Sequence, residues 1–125
     1  MRAARNATVG RTIVVDARGR TLYRLSGENS HRLRCTGSCV ATWRPLTVHS
    51  RHTKLVAGKG VQGRLGMIRR PGGELQVTLR GEPLYRYAGD HSRGQVRGDG
   101  VRSYGGRWEV VLARAPKRPP NPPPI

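Results

Sequence analysis

The sequence predicts a mostly β, small single domain of two pseudo-repeats that form antiparallel sheets, with little helix. Three observations support this prediction. The chain has 125 residues, which is the size of one ordinary domain. Its 17 glycines and 9 prolines favour many short elements joined by turns over long helices. Finally, one eleven-residue segment occurs twice.

The duplicated segment reads RGRTLYRLSGE at residues 18–28 and RGEPLYRYAGD at residues 80–90, with identical residues at six of the eleven positions. Tyr23 corresponds to Tyr85, and the acidic ends are Glu28 and Asp90. Apolar residues alternate before each copy, as in a strand. That pattern matches Ile13 and Val15 with Leu75 and Val77.

A loop and then an apolar segment that carries a tryptophan follow each copy, around Trp43 and Trp108. The two repeats therefore span about 12–48 and 74–113, within a β domain at 12–115. Two such units can bury their apolar faces against each other, which neither does well alone. We expect at most a short helical turn, near Ser38 to Trp43.

A further hairpin is predicted between the repeats, where LGMIRR and ELQVTL flank Pro71-Gly72-Gly73. The polar, glycine-bearing residues 49–60 are predicted to form a connecting loop. Residues 1–11 are polar and basic, and we expect them to be a loose N-terminus. Residues 116–125 are rich in proline and predict an extended, disordered tail.

The chain is strongly basic, with a formal net charge of +17 from 24 basic and 7 acidic residues. Such a charge favours association with anionic cell-envelope polymers or lipid headgroups. Sequence-specific binding of nucleic acid is not expected, because no basic recognition helix or aromatic stacking platform accompanies the charge. No apolar run is long enough to form a transmembrane segment.

These features resemble the secreted-repeat family of predicted bacterial lipoproteins, whose motif is Y-x-[FWY]-x-x-D. The second half holds this motif intact as Tyr85, Tyr87 and Asp90. The first half holds it in part, as Tyr23 and Glu28. The family's Cys-Thr-Gly-x-Cys segment followed by a tryptophan, and its Gly-Gly-x-Trp ending, are matched at Cys35 to Cys39, Trp43, and Gly105 to Trp108.

The resemblance implies an extracytoplasmic protein of the cell envelope, although residues 1–12 contain no hydrophobic export signal and no lipobox. In the oxidising compartment that it implies, Cys35 and Cys39 are expected to form a disulfide. The alternative is a metal- or redox-linked protein that uses the same pair, with His31 as a further metal ligand. No cofactor is expected.

The motif tyrosines permit two interpretations. Tyr85 and Tyr87 share one face of a strand and, with Asp90, form either a ligand site or a structural tyrosine corner. In the corner, the phenols pack in the core and the aspartate ties their hydroxyls to the turn. A fold-building role is favoured because a duplication repeats it.

No paired carboxylates or nucleophile motif predict catalysis. The predicted function is therefore a non-enzymatic structural or binding module.

Overall fold

The computed structural model describes residues 1–115, and the predicted proline-rich tail at 116–125 lies outside them. The described chain is mostly β, with one short helix where the sequence predicts a helical turn. The elements are β1 Arg2–Asn6, β2 Arg11–Val15, β3 Leu22–Leu25, α1 Cys39–Thr42, β4 Trp43–Pro45, β5 Thr47–Val48, β6 Leu65–Arg69, β7 Leu75–Leu79, β8 Glu82–Pro83, β9 Tyr85–Tyr87, β10 Arg102–Ser103 and β11 Gly106–Val110.

The two repeats interlock in a central five-stranded sheet with the order β10-β11-β3-β9-β4. Its middle strands, β3 and β9, carry the duplicated segment and pair antiparallel, with Tyr23 opposite Tyr85. The tryptophan strand of each repeat pairs with the tyrosine strand of the other. Thus β11 lies on β3, and β4 lies on β9. The sheet of each repeat is consequently completed by a strand of the other repeat.

Two smaller sheets flank the central one. In the first, β1 pairs with β2. In the second, β7 pairs with β5, β6 and β8. The predicted hairpin is confirmed as β6 and β7, and its turn closes with a bond from the Gly73 N–H to the Arg70 carbonyl. Gly73 has a φ of 96°, which glycine adopts without the steric cost of a Cβ.

Side-chain alternation along β3 and β9 divides the core into two clusters, one on each face of the central sheet. The aromatic cluster contains both tryptophans, Tyr23, Tyr85 and the two cysteines. The aliphatic cluster is built on Leu22 and Leu84, with Val14, Val77, Leu79, Val111 and Ala113 around them. Arg24 and Arg86 lie on the same face of the sheet as the aliphatic cluster, because they follow Leu22 and Leu84 by two positions.

The predicted loose N-terminus is wrong, because residues 2–6 form β1 and pair along their whole length with β2. Ala3 packs against the aliphatic cluster and Ala4 against the aromatic cluster. The buried Asn6 closes the turn, where its Oδ1 accepts the Val9 N–H at 3.1 Å. These small contacts are hidden in the sequence by the arginines on either side of the alanine pair.

The correspondence of the strands before the repeats also shifts by one residue. The Val14 N–H donates to the Val111 carbonyl, and the Val77 N–H donates to the Leu46 carbonyl. Val14, rather than Val15, is therefore the equivalent of Val77. The shift arises because the turn after β2 is one residue longer than the turn after β7.

Candidate functional site

The motif tyrosines and acids form two buried pairs that cross between the repeats. The Tyr23 hydroxyl donates to Asp90 Oδ2 at 2.6 Å, and the Tyr85 hydroxyl donates to Glu28 Oε2 at 3.0 Å. Because β3 and β9 are antiparallel with the tyrosines opposite each other, the turn after each strand comes within reach of the other strand's tyrosine. The sequence predicts a corner within one motif, whereas the observed corner is shared by both.

Each acid also holds the backbone of a following loop. Asp90 Oδ1 accepts the Arg97 N–H at 3.0 Å. Glu28 Oε2 accepts the Arg34 and Cys35 N–H groups at 2.7 and 2.9 Å. Carboxylates that accept several N–H bonds in the interior tie these loops to the core. Both acids therefore have structural partners.

The two phenols remain neutral in the folded protein. Burial raises the pKa of Tyr23 far above its ordinary value, and the hydrogen bond to Asp90 raises it further. Burial likewise raises the pKa of Tyr85, and the negative charge of Glu28 adds to the effect. Neutral phenols act here as hydrogen-bond donors.

The aromatic rings around these pairs stack across the two repeats, while the edge-on contacts of Tyr23 and Tyr85 with tryptophan lie within one repeat. The Trp43 and Trp108 rings stack with centroids 3.9 Å apart and an interplanar angle of 1°. Tyr23 meets Trp43 edge-on at 5.4 Å, and Tyr85 meets Trp108 edge-on at 5.0 Å. Tyr87 stacks on Trp43 at 4.4 Å. The motif residues thus form the centre of the aromatic cluster.

The predicted disulfide is confirmed, because Cys35 and Cys39 are bonded to each other and fully buried. An unforeseen residue, Arg70, anchors this loop to the second repeat. Arg70 is buried, donates through Nη2 to the Cys35 carbonyl, and lies with Nη1 at 2.7 Å from Gln76 Oε1 and 3.3 Å from the Tyr85 hydroxyl. Nothing in the sequence distinguishes Arg70 from the exposed arginine that precedes it.

The alternative metal ligands, Cys35, Cys39 and His31, are not assembled into a site. The two sulfur atoms are bonded to each other and offer no thiolate to a metal. His31 is exposed. Within residues 1–115, no group of three or more histidine, cysteine or acidic side chains is placed to hold a metal ion.

One strongly basic concavity is an arginine cleft, which we define by Arg18, Arg20, Arg44 and Arg86 and whose lining includes one acid, Asp90. Its volume is about 330 Å³. Arg44 on β4 lies directly opposite Arg86 on β9. Arg86 Nη1 lies 3.5 Å from Asp16 Oδ2, while its buried Nε has no hydrogen-bond partner. Arg20 donates to the backbone carbonyl of Asp90 at 2.8 Å.

A second concavity, the mixed-charge cleft, lies along β3 and β11 and has a volume of about 460 Å³. We define it by Arg24, Arg80, Glu82 and Glu109. Arg24 Nε is bonded to Glu82, and Arg24 Nη1 lies 3.0 Å from Glu109 Oε1. The arginine at the centre of this cleft is therefore paired with two carboxylates of the protein itself.

Comparison with known proteins finds a family match in the second half of the chain. Residues 66–112 match the family model described as a secreted repeat of unknown function. The match runs from β6 to β11 and includes the intact motif at Tyr85, Tyr87 and Asp90. No curated protein and no solved structure matches the chain significantly.

The family match bears on where the protein is located. In the part of the chain that the structure describes, no helix is long and apolar enough to cross a membrane. The matching family is described as secreted, which supports an extracellular location for this protein. Residues 66–112, which include motif residues at the centre of the aromatic cluster, are thus similar to the family of secreted repeats of unknown function.

Proposed function

We propose that the protein is a non-catalytic, extracytoplasmic binding module of the cell envelope that contacts anionic polymers or lipid headgroups. The arginine cleft is the observation that carries this proposal. Four guanidinium groups line it, and the salt bridge described among them is that of Arg86 with Asp16. Guanidinium groups that lack internal carboxylate partners are available to anions from outside.

The charge of the whole chain supports the same function. With a net charge of +17, the protein attracts polyanions over distances comparable to the Debye length, about 10 Å at 0.1 M salt. The cleft then gives this long-range attraction a place where several guanidinium groups act together. Binding by such a surface weakens as salt is added.

The burial of the motif acids favours binding over catalysis. Asp90 and Glu28 are each about 5% exposed. Asp90 accepts a tyrosine hydroxyl and one backbone N–H, and Glu28 accepts a tyrosine hydroxyl and two backbone N–H groups. A general acid or base must come within hydrogen-bonding reach of a substrate. These two carboxylates are instead enclosed by the fold that they stabilise.

The proposal is tested by co-sedimentation of the full chain with phosphatidylglycerol vesicles and with phosphatidylcholine vesicles. Binding to a soluble polyphosphate is measured in parallel by fluorescence anisotropy. We expect binding to the anionic partners only, with a marked loss between about 50 and 500 mM NaCl because exposed charges are screened. Equal binding to both vesicle types, or no binding to any anion at the lower salt concentration, would overturn the proposal.

A further inference from the structure

We infer that the arginine cleft is a specific site for a phosphate group, held between Arg44 and Arg86. This inference rests on the proposed function and narrows it to one ligand chemistry. It comes from a comparison of the two clefts, which occupy equivalent places in the two repeats but differ in charge.

The strand registers show the equivalence. In the mixed-charge cleft, Glu109 on β11 is opposite Arg24 on β3. In the arginine cleft, Arg44 on β4 is opposite Arg86 on β9. Arg24 and Arg86 occupy the same position of the duplicated segment, and Arg44 and Glu109 each follow the tryptophan of their repeat. Arg44 therefore occupies the position that Glu109 has in the other repeat.

A second position differs in the same sense. Arg20 and Glu82 each precede the motif tyrosine by three residues. Glu82 is bonded to Arg24, whereas Arg20 donates to the backbone carbonyl of Asp90. Both acids that neutralise Arg24 are thus replaced by arginines around Arg86. The full lining of the mixed-charge cleft has four arginines and three acids, whereas that of the arginine cleft has four arginines and one acid, Asp90.

The juxtaposition of Arg44 and Arg86 is electrostatically unfavourable, and an anion between them would relieve it. Like charges directly opposite each other on antiparallel strands repel and destabilise the pairing. Arg86 also has a buried Nε without a hydrogen-bond partner, and its salt bridge to Asp16 is long, at 3.5 Å. An anion placed where the Glu109 carboxylate lies in the other cleft would separate the two arginines and satisfy them both.

The charge and geometry favour phosphate over a single carboxylate. The lining of the arginine cleft has two carboxylates fewer than that of the mixed-charge cleft and the same number of arginines, so a group with two negative charges restores the balance. The planar guanidinium fork donates two parallel hydrogen bonds to phosphate oxygens, and a phosphate offers oxygens to more than one fork. A cavity of about 330 Å³ also leaves room for the group that carries the phosphate. The phosphate belongs to a lipid headgroup or an envelope polymer, or is the free ion.

The substitution Arg44→Glu tests the site because it rebuilds the arrangement of the mixed-charge cleft. Inorganic phosphate is titrated into the full chain, and binding is followed by calorimetry and by amide chemical shifts. We expect saturable binding to the wild type and an affinity at least about tenfold lower in Arg44→Glu, since a guanidinium contact is replaced by repulsion. Thermal unfolding should show that Arg44→Glu is at least as stable as the wild type.

Arg51→Glu is the matched control, because Arg51 is exposed in the loop between β5 and β6 and the change in charge is the same. It should bind phosphate nearly as the wild type does. Arg44→Gln, which removes the charge without adding an acid, should also weaken binding if Arg44→Glu fails to fold. The inference is overturned if Arg44→Glu, or Arg44→Gln in its place, binds phosphate as Arg51→Glu does. Acetate binding as tightly as phosphate would overturn it as well.

Polymer binding separates this inference from the broader proposal. If anionic vesicles or polyphosphate bind in a salt-sensitive way but Arg44→Glu and Arg51→Glu weaken binding equally, the phosphate site is wrong and the binding module stands. If phosphate binds and Arg44→Glu abolishes it while neither polymer binds, the site stands and the envelope function is wrong. A selective loss of vesicle or of polyphosphate binding in Arg44→Glu identifies the source of the phosphate.

Discussion

The crossed pairing of tyrosines and acids makes a quantitative prediction for a double-mutant cycle. Tyr23→Phe removes the donor to Asp90 Oδ2, which lies at 2.6 Å in the buried interior, and also removes the acceptor of the Gly98 N–H at 3.2 Å. A buried hydrogen bond to a charged group contributes about 1.5–3 kcal/mol. We expect Tyr23→Phe to lower the free energy of unfolding by about 3 kcal/mol, because it also leaves a carboxylate oxygen without this donor.

The cycle pairs Tyr23→Phe with Asp90→Asn in one case and with Glu28→Gln in the other. The first pair should show a coupling energy of about 2 kcal/mol, since Asp90→Asn replaces the charged acceptor of the hydrogen bond whose donor Tyr23→Phe removes. The second pair belongs to one repeat but shares no hydrogen bond, so its effects should add within about 0.5 kcal/mol. Urea unfolding followed by tryptophan fluorescence measures the three single and two double variants, with the two stacked indoles as probes.

The refuting result is specific. If Tyr23 couples to Glu28 as strongly as to Asp90, each repeat forms its own corner and the two repeats are not crossed. If both pairs are additive, the hydroxyl contributes nothing that depends on either acid. Tyr104→Phe is the control for loss of a hydroxyl alone, because Tyr104 is 41% exposed. It should leave the unfolding midpoint within error of the wild type.

Three further predictions concern pH, packing and the disulfide. Because the pKa values of Tyr23 and Tyr85 are raised in the folded protein, their contribution to stability is fully present below about pH 10 and is lost above it, at about 1.4 kcal/mol per pH unit for each tyrosine. Tyr85→Phe should therefore flatten the decline of the unfolding midpoint between pH 10 and 11. An unchanged slope would contradict this. Gly98→Ala should lower the free energy of unfolding in urea by about 1–3 kcal/mol, because the new Cβ would lie 2.6 Å from the Trp43 indole. An unchanged stability would show that the ring moves freely. The Cys35–Cys39 disulfide closes a short loop, so its reduction should lower the free energy of unfolding by about 2 kcal/mol. Because the disulfide is fully buried, its reduction should be slow in native buffer and fast in urea, as measured by thiol labelling and mass spectrometry. Equally fast reduction in both solutions would contradict the burial.

The sequence predicts the elements of this fold that depend on local chemistry. The β6–β7 hairpin follows from two alternating segments around Pro71-Gly72-Gly73, because turn residues act over a few positions. The short helix at Cys39–Thr42 lies where a helical turn is expected. The duplication itself is visible because six of eleven positions in the copies are identical.

The crossing of the repeats could not be predicted in the same way. The duplicated segments show that Tyr23 and Tyr85 are equivalent, but equivalence does not say which acid each tyrosine meets. That depends on the antiparallel pairing of β3 with β9, across about sixty residues of chain. Arg70 was missed for a similar reason, since its partners at Cys35, Gln76 and Tyr85 come from three separate elements.

The charge difference between the two clefts is hidden by a change in spacing. Trp43 follows its motif tyrosine by 20 residues, and Trp108 follows its own by 23. An alignment of the repeats at a constant offset therefore does not match Arg44 with Glu109; the strand registers do. Each repeat's core is built partly from the other's side chains, so a change inside one disturbs both, whereas the cleft residues face outward and can differ freely. The function specific to this chain should accordingly be sought where the equivalent surfaces of its two halves differ in charge, at the arginine cleft.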